Sequence, residues 1–244
     1  MLFSNVTVVI PARYYSKRFP RKPLVMINKK SMIETVYMKS LKLNCNKVFI
    51  LTDHKKILNH CLKFTKNVIM TKKSIKTGSD RISHFSNDIR TKWILNLQGD
   101  EPFFSEIDVK NLIHKTLRIR KSDFVASTLF YKKKLKKFSL NKNECKMVLN
   151  NNNEVLYFSR NLIPFDKTLK KITYLKHIGI YLYKKNFLKK FSKLKFSLLE
   201  KRENLEQLRI LENGYKMVAF EANKETKGID IPANLGDGKK LFAN

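Results

Sequence analysis

Glycine, proline and cysteine are all scarce in this chain of 244 residues, at 7, 6 and 3. No stretch is rich enough in Gly, Pro or Ser to read as a linker between independent domains, and no internal repeat is evident. The pattern G-x-x-x-x-G-K-[ST] is missing, which argues against a P-loop nucleotide hydrolase. Cys45, Cys61 and Cys145 are an odd number without close pairing, so neither a disulfide framework nor a zinc site is indicated. No apolar run approaches the length that spans a bilayer. The amino terminus, MLFSNVTVVIPAR, lacks a basic leader and a small-residue cleavage site, so a reducing cytoplasm is the expected compartment.

Acidic residues are also few, 20 against 51 lysines and arginines, for a formal net charge of +31. Such a balance suggests nucleic acid, a membrane surface or an anionic ligand. The lysines, however, are spread along the whole chain. They keep company with Asn, Ile and Phe, which share A/T-rich codons, as in KKKLKKFSLNKN (132–143). We therefore read most of the charge as compositional drift. A nucleic-acid-binding protein would instead cluster its cations with stacking aromatics. Hydrophobic residues at 43% and aromatics at 11% are globular values, and the length suffices for a substantial core.

In the first half, short apolar runs alternate with helical patterns. VTVVI (6–10), KVFIL (47–51), NVIM (67–70) and KWILNLQ (92–98) read as strands, with helices over 31–41, 55–64 and 80–88 between them. Continuous apolar strands separated by amphipathic helices predict a mostly parallel sheet covered on both faces. Ligands of such sheets gather outside the carboxyl ends of the strands. Three segments then share one rim: the loop after Ile10, TDH after Leu51 and QGDEP after Leu97. Beyond residue 120 the pattern shifts to a strand (DFVASTLFY), a lysine connector (132–137), an asparagine-turned hairpin (145–159) and a strand at 174–183. One long helix follows over 197–213, closed by Asn213-Gly214, and then the strand YKMVAFE. This part reads as an inserted lobe over the same sheet.

Three rim segments carry candidate chemistry. In VVIPARYYSKRFPRKPL (8–24), a buried strand releases Arg13, Lys17, Arg18, Arg21 and Lys22 among three prolines that stiffen the loop. Fixed cations suit a polyphosphate, and arginine adds planar bidentate donors; the plain alternative is basic surface. In NLQGDEPF, Gly99 allows close backbone approach and Asp100 offers a hard oxygen ligand for Mg²⁺, the alternative being an ordinary turn. Asp230 in KGIDIPANL could supply a second carboxylate. In IKTGSDRISH, Thr77, Ser79 or Asp80 would cap a helix while amides and hydroxyls face the rim. Asp53 in TDH is expected to be an N-cap.

Taken together, IPARYYSKRFPRKPL, TDH, TGSDR, NLQGDEP, YFSRNLIPF, HIGIY, LEQLR and GIDIP, in this order and spacing, resemble the 3-deoxy-manno-octulosonate (Kdo) cytidylyltransferase family, or CMP-Kdo synthetases, over nearly the whole chain. The opening loop alone is shared with sialic-acid-activating relatives.

The resemblance implies an α/β, Rossmann-like three-layer nucleotide-sugar transferase fold, its mostly parallel central sheet bearing an inserted smaller sheet or lobe. It implies one domain: 1–120 for the nucleotide, 121–220 for sugar binding and dimerisation, 221–244 for a metal loop and closing helix. The reaction implied joins CTP to Kdo with loss of pyrophosphate, with Mg²⁺ as cofactor, serving lipopolysaccharide synthesis. By similarity, Arg13, Lys22 and Asp100 would be catalytic. Arg13, Arg18, Lys22, Gly78, Ser79, Arg81 and Gln98 would bind the nucleotide, and Asp100 and Asp230 the metal. Arg160, His177, Glu206 and Gln207 would face the sugar acid, although His177 also fits a satisfied core histidine. A homodimer, no membrane insertion and no specific nucleic acid complete the expectation. The chain departs from the family pattern after Asp230, where Ala233 and Asn234 replace an acidic pair, so the closing helix is expected to fray. Another sugar nucleotidyltransferase, including one acting on sialic acid, is the competing reading.

Overall fold

The computed structural model describes residues 2–15, 19–75, 77–119, 123–134, 141, 143–165, 167, 173–226, 228 and 229. From the amino terminus come β1 (Phe3–Ala12), a 3-10 turn at Lys22–Leu24, and the two-residue strands β2 (Met26–Ile27) and β3 (Lys30–Ser31). Next are α1 (Met32–Leu41), β4 (Cys45–Thr52), α2 (Lys55–Cys61), β5 (Val68–Met70), α3 (Gly78–Phe85), β6 (Trp93–Asn96) and α4 (Glu106–Arg118). The later part holds β7 (Phe124–Lys134), the hairpin β8 (Lys146–Leu149) and β9 (Val155–Ser159), and β10 (Thr173–Lys184). It ends with α5 (Lys185–Phe191), α6 (Leu198–Glu203), α7 (Leu208–Glu212) and β11 (Lys216–Glu221).

One sheet runs β11-β7-β10-β6-β1-β4-β5, with the β8–β9 hairpin attached to β10. Neighbours are parallel except where β10 runs against both β6 and β7. The β2–β3 ribbon forms a separate small antiparallel sheet. Strands from both halves of the chain thus complete a single α/β sheet. The apolar run of β1 is explained by burial on both sides. Val8 and Ile10 pack with Ile33, Val36, Val109 and Leu112 of α1 and α4. Val9 faces the opposite layer, with Ile82, Phe85, Leu188 and Leu208 of α3, α5 and α7. The chain travels from β1 outward to β4 and β5, then returns to β6 on the other side of β1. That reversal opens a crevice at the carboxyl ends of β1 and β6.

Three local expectations are corrected. The single helix over 197–213 is two helices, because Asn204 adopts a left-handed conformation (φ 53°) after α6. Asparagine tolerates that region, and the Arg160 guanidinium donates to the carbonyls of Glu203 and Asn204 at the break. Lys132, Lys133 and Lys134 lie in β7 and not in a connector; Lys132 pairs with Glu221, and Lys133 with Glu144 and Glu225, so the first two charges are matched there. Asp53 does not cap α2. His54 does, its Nδ1 accepting the Lys56 amide at 3.1 Å. The expected closing helix lies outside the described residues.

Candidate active site

The crevice between β1 and β6 is a cavity of about 160 Å³, lined by Pro11, Ala12, Arg13, Lys22, Pro23, Gly78, Gln98, Gly99, Asp100 and Glu206. Its floor needs glycine: a Cβ on Gly99 would lie 3.0 Å from the Pro11 carbonyl oxygen, and one on Gly78 would lie 3.3 Å from Pro11 Cγ. Lys22, in the 3-10 turn after the opening loop, donates to Asp100 Oδ2 at 2.5 Å. Charge-assisted bonds of this kind are short and directional. The turn carrying Asp100 is held from behind by Lys39, whose ammonium donates to the carbonyls of Pro102 and Phe104 at 3.2 and 2.6 Å. The amide of Ile229 donates to the Asp100 carbonyl at 3.0 Å, so the chain at residue 229 is bonded to the turn that carries Asp100.

Across the cavity, Thr77 caps α3 by accepting the Asp80 amide, and the preceding amide, that of Ser79, donates to Glu206 Oε2 at 3.2 Å. Burial pushes the Glu206 carboxyl above its ordinary value; the Ser79 hydrogen bonds oppose this, Asp80 adds to it and Arg13 opposes it. Glu206 reaches the cavity because the break at Asn204 separates it from α6. Behind it, Arg209 is buried between Phe191 and Phe196 and bonds both Glu200 oxygens and Asp80. Burial alone would lower its pKa, but the Glu200 and Asp80 carboxylates outweigh that and hold it above the usual arginine value.

Other expected residues lie elsewhere. Ser79 is buried at the start of α3. Arg81 has a fully buried guanidinium bonded to Asp53, Thr71 and the Ile75 carbonyl, and it is not among the residues lining the cavity. Three positions after Gly78, it falls on the inner face of α3. Arg160 is spent on the carbonyls of Glu203, Asn143 and Asn204. Gln207 Nε2 lies 3.6 Å from Cys145 Sγ, and the His177 amide donates to the Cys145 carbonyl, so these two share a neighbour. The His177 ring contacts Thr128 Oγ1 at 3.1 Å and the edge of Phe158, and burial lowers its pKa to about 3. Arg18 and Asp230 lie outside the described residues. The sequence reading did not foresee the role of Asp53, whose signal is its position directly after a buried parallel strand.

A cationic cleft with a carboxylate wall, set at the switch point of a mostly parallel sheet, is the ligand-binding crevice of an α/β protein, and its cations suit an anionic ligand. The chain belongs to the cytidylyltransferase family, whose model matches residues 7–223. It is 40% identical over 229 residues to 3-deoxy-manno-octulosonate cytidylyltransferase of Fusobacterium nucleatum, covering 93% of this chain and 92% of that protein. It is 37% identical to 8-amino-3,8-dideoxy-manno-octulosonate cytidylyltransferase of Shewanella pealeana, covering 95% and 96%. A solved structure of CMP:2-keto-3-deoxy-manno-octonic acid synthetase complexed with CTP superposes with a TM-score of 0.89 at 34% identity, covering 98% of this chain and 99% of that one. The chain is thus a nucleotidyltransferase. Among the described residues, no helix is long and apolar enough to cross a membrane.

Proposed function

We propose that this protein transfers CMP from CTP to the anomeric hydroxyl of Kdo, giving CMP-Kdo and pyrophosphate, as the cytoplasmic activation step for lipopolysaccharide synthesis. The observation that carries this reading is the convergence of Arg13 and Lys22 from the opening loop with Asp100 and Glu206, three separate stretches of the chain, on one cavity. The relatives' names supply the substrates. In-line attack of a hydroxyl on the α-phosphorus is catalysed mainly by positioning and by neutralising phosphate charge. Arg13 and Lys22, with Arg18 farther along the loop, take the phosphate oxygens. Gly78 and Gln98 form the wall toward the nucleoside, with Ser79 and Arg81 behind it. Glu206 and Gln207 accept and donate to sugar hydroxyls, with Arg160 and His177 shaping that side.

The donor set fits Mg²⁺. Asp100 presents a hard carboxylate to the cavity with 32% of its side chain exposed, and the backbone leading to Asp230 is bonded to the Asp100 carbonyl. No group of three or more His, Cys, Asp or Glu side chains is gathered for a metal among the described residues. Mg²⁺ in such sites is held by one or two carboxylates together with substrate phosphates. When bound, Mg²⁺ supplies charge neutralisation to the phosphates. The reading keeps the division into 1–120, 121–220 and 221–244 and includes a homodimer, both on family resemblance.

The test is pyrophosphate release by the purified protein with CTP, UTP or ATP against Kdo, its 8-amino analogue and sialic acid. CTP with Kdo is expected to turn over fastest, and only with Mg²⁺. Faster turnover of the 8-amino acid would move the assignment to that acceptor, and no turnover of CTP with any of the three would end it.

A further inference from the structure

We infer that Asp53 and Arg81 are a positioning pair for the opening loop: their buried ion pair fixes the backbone at Tyr14, and through it the placement of Arg13 and Lys22 for a triphosphate. The inference rests on the nucleotide reading above but adds two residues that do not touch the substrate. Arg81 Nη2 lies 3.1 Å from Asp53 Oδ2, with side-chain exposures of 0% and 13%. The other oxygen of Asp53 accepts the amide of Tyr14 at 3.2 Å. Arg81 also donates to Thr71 Oγ1 and, at 3.1 Å, to the Ile75 carbonyl, while Thr71 is bonded through its amide to the Thr52 carbonyl at 2.8 Å. One guanidinium therefore ties together the exits of β4 and β5, and its carboxylate partner extends the tie to the exit of β1.

The geometry of the loop makes Tyr14 the point that matters. Its carbonyl accepts the Arg21 amide at 3.0 Å, closing the loop at its base. Arg13 precedes Tyr14 and Lys22 follows Arg21, so this closure sets the spacing of the two cations. Asp53 then sets where the closed pair stands on the sheet. The Tyr14 ring is stacked on His54 with centroids 3.8 Å apart, which holds the same residue from its side chain. Because His54 caps α2, both Asp53 oxygens serve Arg81 and the loop. A buried ion pair is a weak stabiliser compared with apolar packing, so stability alone accounts poorly for its presence here.

There is also an electrostatic requirement. Asp53 and Arg13 line one further cavity of about 250 Å³, with Tyr15, Lys73 and Ile75. A carboxylate beside a phosphate-directed arginine would repel the ligand unless neutralised, and Arg81 neutralises it from beneath.

The test measures binding of CTP and CMP by calorimetry to the full chain and to Asp53→Asn, Arg81→Met and the double variant. Asp53→Asn is expected to weaken CTP about tenfold, the scale of one lost charge-assisted contact, while changing CMP less than about twofold. Arg81→Met is expected to weaken CTP more than Asp53→Asn does, because it leaves the carboxylate unneutralised, and the double variant to recover part of that loss. A purely structural role would lower the melting temperature and the fraction of active protein without separating CTP from CMP. Equal losses for the two nucleotides, or unchanged CTP affinity, would overturn the inference. Should Arg81→Met fail to fold, Asp53→Asn, which keeps shape and an acceptor oxygen, decides the question alone. A parent protein that binds CTP but activates no sugar acid would sink the functional proposal and leave this one to the binding constants. If it binds no CTP, inorganic tripolyphosphate is titrated instead, and failure to bind either ends both.

Discussion

Lys22 Nζ stands 2.5 Å from Asp100 Oδ2, joining a cation of the opening loop to a carboxylate 78 residues later. The side chains are 11% and 32% exposed, so the pair faces the cavity and is partly solvated. A pair so placed is worth up to about 1 kcal/mol to stability. Its value is to hold opposite charges at one point on the cavity wall.

Asp100→Ala is therefore expected to abolish Mg²⁺-dependent pyrophosphate release while lowering the unfolding free energy by no more than about 1 kcal/mol. Lys22→Met should cut kcat by about 10²–10³-fold, as loss of a preorganised electrostatic contact does. Steady-state kinetics beside urea denaturation would show it. Turnover that survives Asp100→Ala removes this residue from the metal site.

Glu206 makes a pH-dependent prediction about stability. Burial raises its folded-state pKa above the ordinary 4.5, with Asp80 adding to the effect and Ser79 and Arg13 opposing it. Between the unfolded and folded values the native state holds more protons, so stability falls as pH rises through that window. Glu206→Gln keeps an oxygen for the Ser79 amide and removes the titration. The variant should gain on the parent, in urea unfolding free energy, as pH is raised above 4.5. A gap that closes with rising pH would mean the amide and Arg13 hold Glu206 ionised.

His177 works in the opposite sense. Burial holds its imidazole at about 3, below the ordinary 6.5. The unfolded chain takes up this proton first, so the stabilisation is complete above pH 6.5 and is lost as pH falls from there toward 3. His177→Gln, which can still bond Thr128, should show a shallower loss of stability between pH 7 and 5. Pyrophosphate release should likewise show no limb near 6.5 that this substitution removes.

What the sequence made legible follows from burial. The run VTVVI reads as a strand because both faces of β1 are covered, so nothing in it alternates. Parallel strands then place their exits on one rim, which brings Arg13 and Gly99 to the same crevice from 86 residues apart (99 − 13). The break at Asn204 was not legible. Leu205, Leu208 and Leu211 recur at helical spacing, and what stops the helix is a left-handed asparagine whose neighbouring carbonyls are taken by Arg160. Arg81 was read toward the nucleotide because its motif sits at the rim. Whether an arginine in the first turn of a helix points outward or inward depends on a partner 28 residues away, Asp53.

Arg209 carries the heaviest structural demand. Its Nε and Nη2 donate to the two oxygens of Glu200 at 2.8 and 2.6 Å, and Nη1 donates to Asp80 at 2.9 Å. With only 2% and 3% of their side chains exposed, Arg209 and Glu200 are both removed from water. Arg209→Met should cost about 3–5 kcal/mol, because it leaves the Glu200 carboxylate buried without its countercharge. Arg209→Lys should fall between, since an ammonium cannot reproduce the planar fork. Adding Glu200→Gln to Arg209→Met should then cost less than the two single losses summed, as coupled neighbours require. The consequence reaches the site through Asp80, which follows Ser79 in the first turn of α3. Loosening it frees the Ser79 amide from Glu206, so the KM for the sugar acid should rise in Arg209→Lys at temperatures where the variant remains folded. A loss below about 1 kcal/mol in Arg209→Met would show that water reaches Glu200 and that α7 is held by its leucines alone.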